Sequence, residues 1–317
     1  MVRDIFKCLG IAVLSLVLAF GIVLGTYYAT KDVYADNYQK GFVYQYRRLQ
    51  SADDGTPKVV VFGGSYLAFS LNTKQMQEEL GVPCYELGVQ SNMGMCYTIE
   101  LLEDQINEGD IVVFPFEDFA RDDYGMDLIT LTLDGQLDMT LDFLKRHPLE
   151  LIEAVPRATT RRVLGQFRAA NSAPETVYVA SAFDQEYAYY NLDRPEPTVS
   201  EESLINAGYA YYIGDIDPSC LEVLNEFNAL CEEKGATLLI TYMPMCTQSV
   251  FTDEEGRQAY MEYLDENLDP EIICSLEDCF YDYEYVFNGF SHLNSKGQEK
   301  YTSDLSEMLK PYVNEVE

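Results

Sequence analysis

Histidine is nearly absent from this chain: His147 and His292 are the only two in 317 residues. His147, in Arg146-His147-Pro148, reads as a helix end. One remaining imidazole is too few for a transition-metal centre built on several imidazoles, so metal-dependent hydrolysis has little support and no metal or cofactor is expected. Positive charge is also scarce, with 21 Lys and Arg against 53 Asp and Glu and a formal net charge of −32. Phosphate backbones are bound by clustered cations, so nucleic-acid binding is excluded and tight electrostatic attachment to anionic lipid heads is disfavoured. The acidic residues are dispersed, as in Glu201-Glu202 and Asp253-Glu254-Glu255, and read as a solubilising surface. Seven of the eight cysteines lie beyond residue 28, an odd number at uneven spacing. That pattern fits neither a disulfide framework nor a zinc site, and several read as small buried hydrophobes. No internal repeat or low-complexity tract is present.

What the chain does have, first, is a charge-free and mostly apolar run over residues 8–28. About 20 such residues match the hydrocarbon thickness of a bilayer. Arg3 and Lys7 precede it, while Lys31 and Asp32 follow, so a single-pass cell-membrane helix is expected, N-terminus in the cytoplasm and the rest extracytoplasmic. A cleaved signal peptide ending near Val33-Tyr34-Ala35 is the rival reading. Residues 31–57 read as a polar juxtamembrane stem that would hold the following domain close to the membrane.

From residue 58 onward, short apolar segments at 58–62, 110–114, 237–242 and 271–275 read as buried strands. Helical patterns at 73–80, 97–107, 220–233, 253–268 and 295–309 alternate with them. Alternation with near-continuous apolar strands means an α/β fold with a parallel sheet covered on both faces, and ligands in such sheets bind beyond the carboxyl ends of the strands. Residues 120–215 break the rhythm as an insert with a loop signal at Arg194-Pro195-Glu196-Pro197. It carries Arg157, Arg161, Arg162 and Arg168, read as a helix neutralising an acidic neighbour or, alternatively, as a cap meeting an anionic ligand.

Two separated motifs carry chemistry. Val59-Val60-Val61-Phe62-Gly63-Gly64-Ser65-Tyr66 runs a strand into a glycine turn with a serine at a helix entrance. Phe290-Ser291-His292-Leu293-Asn294-Ser295-Lys296-Gly297 places His292 just before the last helix. A serine needs a base to become a nucleophile and fixed donors for the oxyanion, and histidine is the usual base near neutral pH. Alone, Ser65 would read as a helix cap and His292 as a structural residue; together they point to a serine esterase.

The blocks from Gly63 to Ser70, Glu86 to Met95, Asp110 to Glu117, Tyr242 to Pro244 and His292 to Gly297 resemble the SGNH (GDSL-like) hydrolases, in particular their membrane-anchored, envelope-facing branch. The resemblance implies a three-layer α/β/α domain with a flavodoxin-like parallel sheet over residues 58–317. It also implies O-acyl esterase or acyltransferase activity on an acylated cell-envelope glycan or teichoic acid, often beside a membrane-bound O-acyltransferase. By that likeness Ser65 is the nucleophile, His292 the base, and the N–H groups of Ser65 and Gly88 the oxyanion hole. Two positions depart from the pattern. Pro115-Phe116-Glu117-Asp118 stands where the family's oxyanion-hole asparagine belongs. Asn288 stands where an acid would orient the histidine; it can accept the imidazole N–H but brings no charge. A catalytically impaired scaffold that binds a glycan or an acyltransferase is therefore the alternative reading.

Overall fold

The computed structural model describes residues 2–30, 36–52, 55–121, 124–169 and 176–314, without the side chains of Val2 and residues 166–169. Lys31, Asp32, the alternative cleavage site Val33-Tyr34-Ala35 and the Arg168 side chain lie outside the described residues. In chain order the helices are α1 (Val2–Thr30), α2 (Lys40–Gln50), α3 (Ser65–Ser70), α4 (Thr73–Leu80), α5 (Met95–Glu103), α6 (Met126–Thr132), α7 (Leu137–Arg146), α8 (Pro148–Ala169), α9 (Glu201–Ala207), α10 (Pro218–Glu233), α11 (Glu254–Asn267) and α12 (Ser295–Asn314). The strands are β1 (Val59–Phe62), β2 (Cys84–Leu87), β3 (Ile111–Phe116), β4 (Thr237–Tyr242), β5 (Met245–Cys246), β6 (Glu271–Ile272), β7 (Phe280–Tyr281), β8 (Val286–Gly289) and β9 (His292–Leu293). They divide into two compact units, Met1–Tyr38 with Met126–Val179, and Gln39–Gly125 with Ala180–Glu317.

The larger unit is an α/β fold around a five-stranded parallel sheet in the order β2-β1-β3-β4-β6. Counting only these five, the order is 2-1-3-4-5, the doubly wound order of flavodoxin-like sheets. Every residue of β1, β2 and β3 is buried. Successive side chains point to opposite faces, so both faces of the sheet are covered. Phe62 and Phe114 stack across neighbouring strands with ring centroids 4.7 Å apart. At the opposite end of the sheet from the carboxyl termini, Lys58 Nζ meets Asp110 Oδ2 at 2.5 Å, both buried. Pro115 is tolerated in β3 because pairing with β1 has already stopped at Val113, so no ladder bond on that side is lost. Its carbonyl instead accepts the buried Tyr66 hydroxyl at 2.6 Å, tying α3 to β3.

Three expectations need adjustment. The expected polar stem contains α2, whose Phe42, Val43, Tyr46 and Leu49 are buried; their spacing makes one apolar face, which belongs to the α/β unit. β2 is an additional strand, and β6 is only two residues long. The expected insert of 120–215 is divided between the two units, with residues from Ala180 onward in the larger one. The remaining helices follow the expected spans closely, although α5 ends at Glu103 and α12 extends to Asn314.

In the smaller unit, α1 is long and apolar enough to cross a membrane. Beside it, α6 to α8 form a short helical array. Arg161 pairs with Asp127 and Arg162 with Asp134, so these two arginines neutralise acidic neighbours within the unit. Arg157 is exposed.

Candidate functional site

Ser65 follows β1 by two glycines and opens α3. Neither Gly63 nor Gly64 has a positive φ, so the turn does not need glycine for its dihedrals. Space is the reason. A β-carbon on Gly63 would stand 2.3 Å from the Tyr66 hydroxyl; one on Gly64 would stand 1.9 Å from Ser91 Oγ and 2.6 Å from Glu117 Oε2. Ser91 and Glu117 fill the room beside Gly64.

His292 comes from the far end of the chain. β8 and β9 form an antiparallel hairpin in which Gly289 faces His292. Asn294, fully buried, braces the hairpin's return by donating from Nδ2 to the carbonyls of Glu284 and Val286. Its Oδ1 accepts from Gly297 N–H at 3.0 Å, capping the first turn of α12. So held, His292 Nε2 lies 3.0 Å from Ser65 Oγ, and Nδ1 lies 2.8 Å from Asn288 Oδ1. The structure thus brings together three of the residues singled out from sequence. With Asn288 Oδ1 accepting, the ring proton sits on Nδ1 and the Nε2 lone pair faces the serine hydroxyl.

The imidazole lies flat on Phe69 of α3, with centroids 4.3 Å apart and planes 9° from parallel. Behind Phe69 the buried Arg194 donates from Nη2 to the Phe69 carbonyl at 3.1 Å and places its guanidinium 5.3 Å from the ring centroid. Burial, and secondarily the Arg194 charge, pull the His292 pKa down to about 4. The ring is therefore neutral, and able to accept a proton, over the whole range from mildly acidic pH upward.

Gly88 does not stand as expected. Its N–H donates to Gln45 Oε1 at 3.0 Å, and Gln45 Nε2 in turn donates to Glu86. A β-carbon there would lie 2.6 Å from the Gly63 carbonyl, so Gly88 permits close packing of the β2 turn under the serine turn, with its donor already engaged. The Ser65 N–H, in the first turn of α3, has no acceptor within the helix.

Sequence reasoning missed the Ser91–Glu117 pair. Ser91 Oγ donates to Glu117 Oε2 at 2.9 Å, directly over Gly64. Glu117 occupies the position noted only as a departure from the family pattern, just past the carboxyl end of β3, where such sheets bind ligands. Burial pushes its pKa up to about 7, aided by the neighbouring Asp118 and opposed by the Ser91 hydrogen bond. Because the folded protein holds this proton to about pH 7 while the unfolded chain loses it near the ordinary value of 4.5, stability contributed at low pH falls away as pH rises between those values. Glu117→Gln keeps an acceptor for Ser91 and cannot ionise. Its melting temperature should match wild type near pH 4 and exceed it increasingly up to pH 8, a gain of about 3 kcal/mol at the upper end. Thermal melts across pH 4–8 check this, and a constant offset at every pH would count against a buried ionising carboxyl.

Compared with protein-family models and with curated proteins, the chain finds no match in either.

Proposed function

We propose that this protein is an SGNH-type serine O-acyl esterase or acyltransferase, anchored by α1 and acting on an acylated cell-envelope glycan or teichoic acid. The observation that carries the proposal is the continuous relay from Ser65 Oγ through both ring nitrogens of His292 to Asn288 Oδ1. Ser65 Oγ attacks the acyl carbonyl while Nε2 takes its proton; the acyl–oxygen bond breaks as Nε2 returns that proton to the departing sugar or polyol oxygen. Water or a second hydroxyl then repeats the cycle against the acyl-serine. The Ser65 N–H is one donor for the oxyanion, and Asn288 holds the imidazole in the productive tautomer without adding charge.

A fluorophosphonate probe tests this reading on the full-length protein in detergent or nanodiscs. Expected is a single adduct on the Ser65 peptide by mass spectrometry, absent in Ser65→Ala. The labelling rate should persist well below pH 6.5 and fall only toward about pH 4, because His292 stays neutral down to there. A fall centred at the ordinary histidine value would contradict the buried, neutral imidazole. Two observations favour a second reading, a catalytically impaired scaffold for a glycan or a membrane-bound O-acyltransferase: the Gly88 donor is engaged by Gln45, and an amide replaces the orienting acid. A folded protein that never labels would leave that reading in place.

A further inference from the structure

We infer that α7 and the first half of α8 form a shallow membrane-docking surface that inserts its leucines into the extracytoplasmic leaflet beside α1. The inference rests on α1 being a membrane anchor, and deepens that reading.

The apolar run of α1 ends at Tyr28, yet the helical array reaches below that level. Arg162 donates to Thr30 Oγ1 at 3.1 Å and lies over the Tyr27 ring. Leu151 and Val155, two to three turns earlier on α8, line a cavity with Val23 and Tyr27. One face of α1 is partly covered there, Val23 and Leu24 being 37% and 42% exposed against 64% at Ile22 and Tyr28. At 1.5 Å per residue, Val23 lies about 7 to 8 Å below the end of the apolar run. Whatever packs on Val23 shares that depth once α1 spans a bilayer.

The outer faces of these helices suit such a depth. Leu137, Leu141 and Leu144 are exposed at i, i+4 and i+7 on α7, one continuous stripe. The opposite side of α7 buries Met139 and Phe143, so the helix has two apolar faces, and one of them has no cover among the described residues. On the first half of α8, Leu149 and Ile152 are exposed at i and i+3, side by side on one face. Charged residues flank both: Asp138 and Lys145 on α7, Glu150 and Arg157 on α8. Charges so close to the stripes exclude deep burial and set the helices at the boundary of headgroups and acyl chains, where amphipathic helices sink about 5–10 Å. The net negative charge of the chain makes the attachment apolar rather than electrostatic.

The chain contains no tryptophan, so single-tryptophan variants report depth without background. Leu141→Trp and Leu149→Trp are made in the full-length protein and reconstituted into phosphatidylcholine vesicles carrying acyl-brominated lipid. Leu18→Trp, inside α1, reports the anchor, and Glu222→Trp, exposed on α10, reports a solvent site. Expected are blue-shifted emission and loss of about half or more of the signal to shallowly brominated lipid at both array positions, as for interfacial helices, with Glu222→Trp unquenched. Leu18→Trp quenched while both array positions emit as in water would overturn the docking surface and leave the anchor standing. Blue-shifted array positions that no lipid quenches would mean a protein partner or a second copy covers the face, which also overturns it. An unquenched Leu18→Trp would remove the anchor itself, and the docking surface with it.

Discussion

Ser65→Ala is expected to lower hydrolysis of a chromogenic acyl ester by roughly 10³- to 10⁶-fold, the upper end being the loss seen when a relay nucleophile is removed. The hydroxyl lies 3.0 Å from His292 Nε2, so the two side chains act as one unit and their losses should not add. His292→Ala should cost about as much as Ser65→Ala, and the double variant little more than either. Residual turnover would come from substrate binding and backbone donors alone. The check is kcat/KM for the four proteins at pH 7, with circular dichroism and melting temperatures showing that each is folded. If His292→Ala retained most of the activity, or if the two losses multiplied in the double variant, the serine and histidine would not form one relay.

The second large effect is a gain. Asn288→Asp should raise kcat/KM by about tenfold or more, because a carboxylate of the same shape stabilises the imidazolium that forms as Ser65 attacks. The amide already accepts from Nδ1 at 2.8 Å, so the tautomer is correct in the parent and only the charge is missing. The same charge works against the burial that holds the His292 pKa down at about 4. The acid limb of the pH–rate profile should therefore move upward toward the ordinary histidine range. Burying a carboxylate costs stability, and a modest drop in melting temperature is expected alongside the faster rate. Asn288→Ala provides the contrast: it removes the acceptor and should lower the rate. An acid limb that stays in place in Asn288→Asp would show that residue 288 does not act on the imidazole, and the relay would end at His292.

Some of the architecture was legible from local pattern and some was hidden by particular residues. β1 and β4 are near-continuous apolar runs and stand where the sequence suggested. β2 was hidden by Glu86, a glutamate inside a fully buried strand. It is tolerated there because burial keeps its pKa well above the usual carboxylate range and Gln45 donates to it. α2 was hidden differently: Gln45, Arg47 and Arg48 are interleaved with its apolar positions, and they made an amphipathic helix look like a polar stem. Arg48 nevertheless turns inward, donating to the Cys84 carbonyl at 2.6 Å and lying over the Tyr85 ring.

Asn288 was singled out only by the likeness to a known family; the sequence by itself determined the alternation of strands and helices and a long apolar N-terminal helix, and pointed to Ser65 and His292. These follow from short-range physics: burial periodicity, turn chemistry and the scarcity of histidine are all properties of neighbouring residues. Only the tertiary structure decided which donors and acceptors meet. Gln45 takes the Gly88 N–H across 43 positions of sequence, Glu117 and Ser91 close over Gly64, and Arg194 stands behind the ring that carries His292. Hydrogen-bond partners are selected by distances of about 3 Å between atoms, and no local pattern encodes which distant side chain will arrive within that distance.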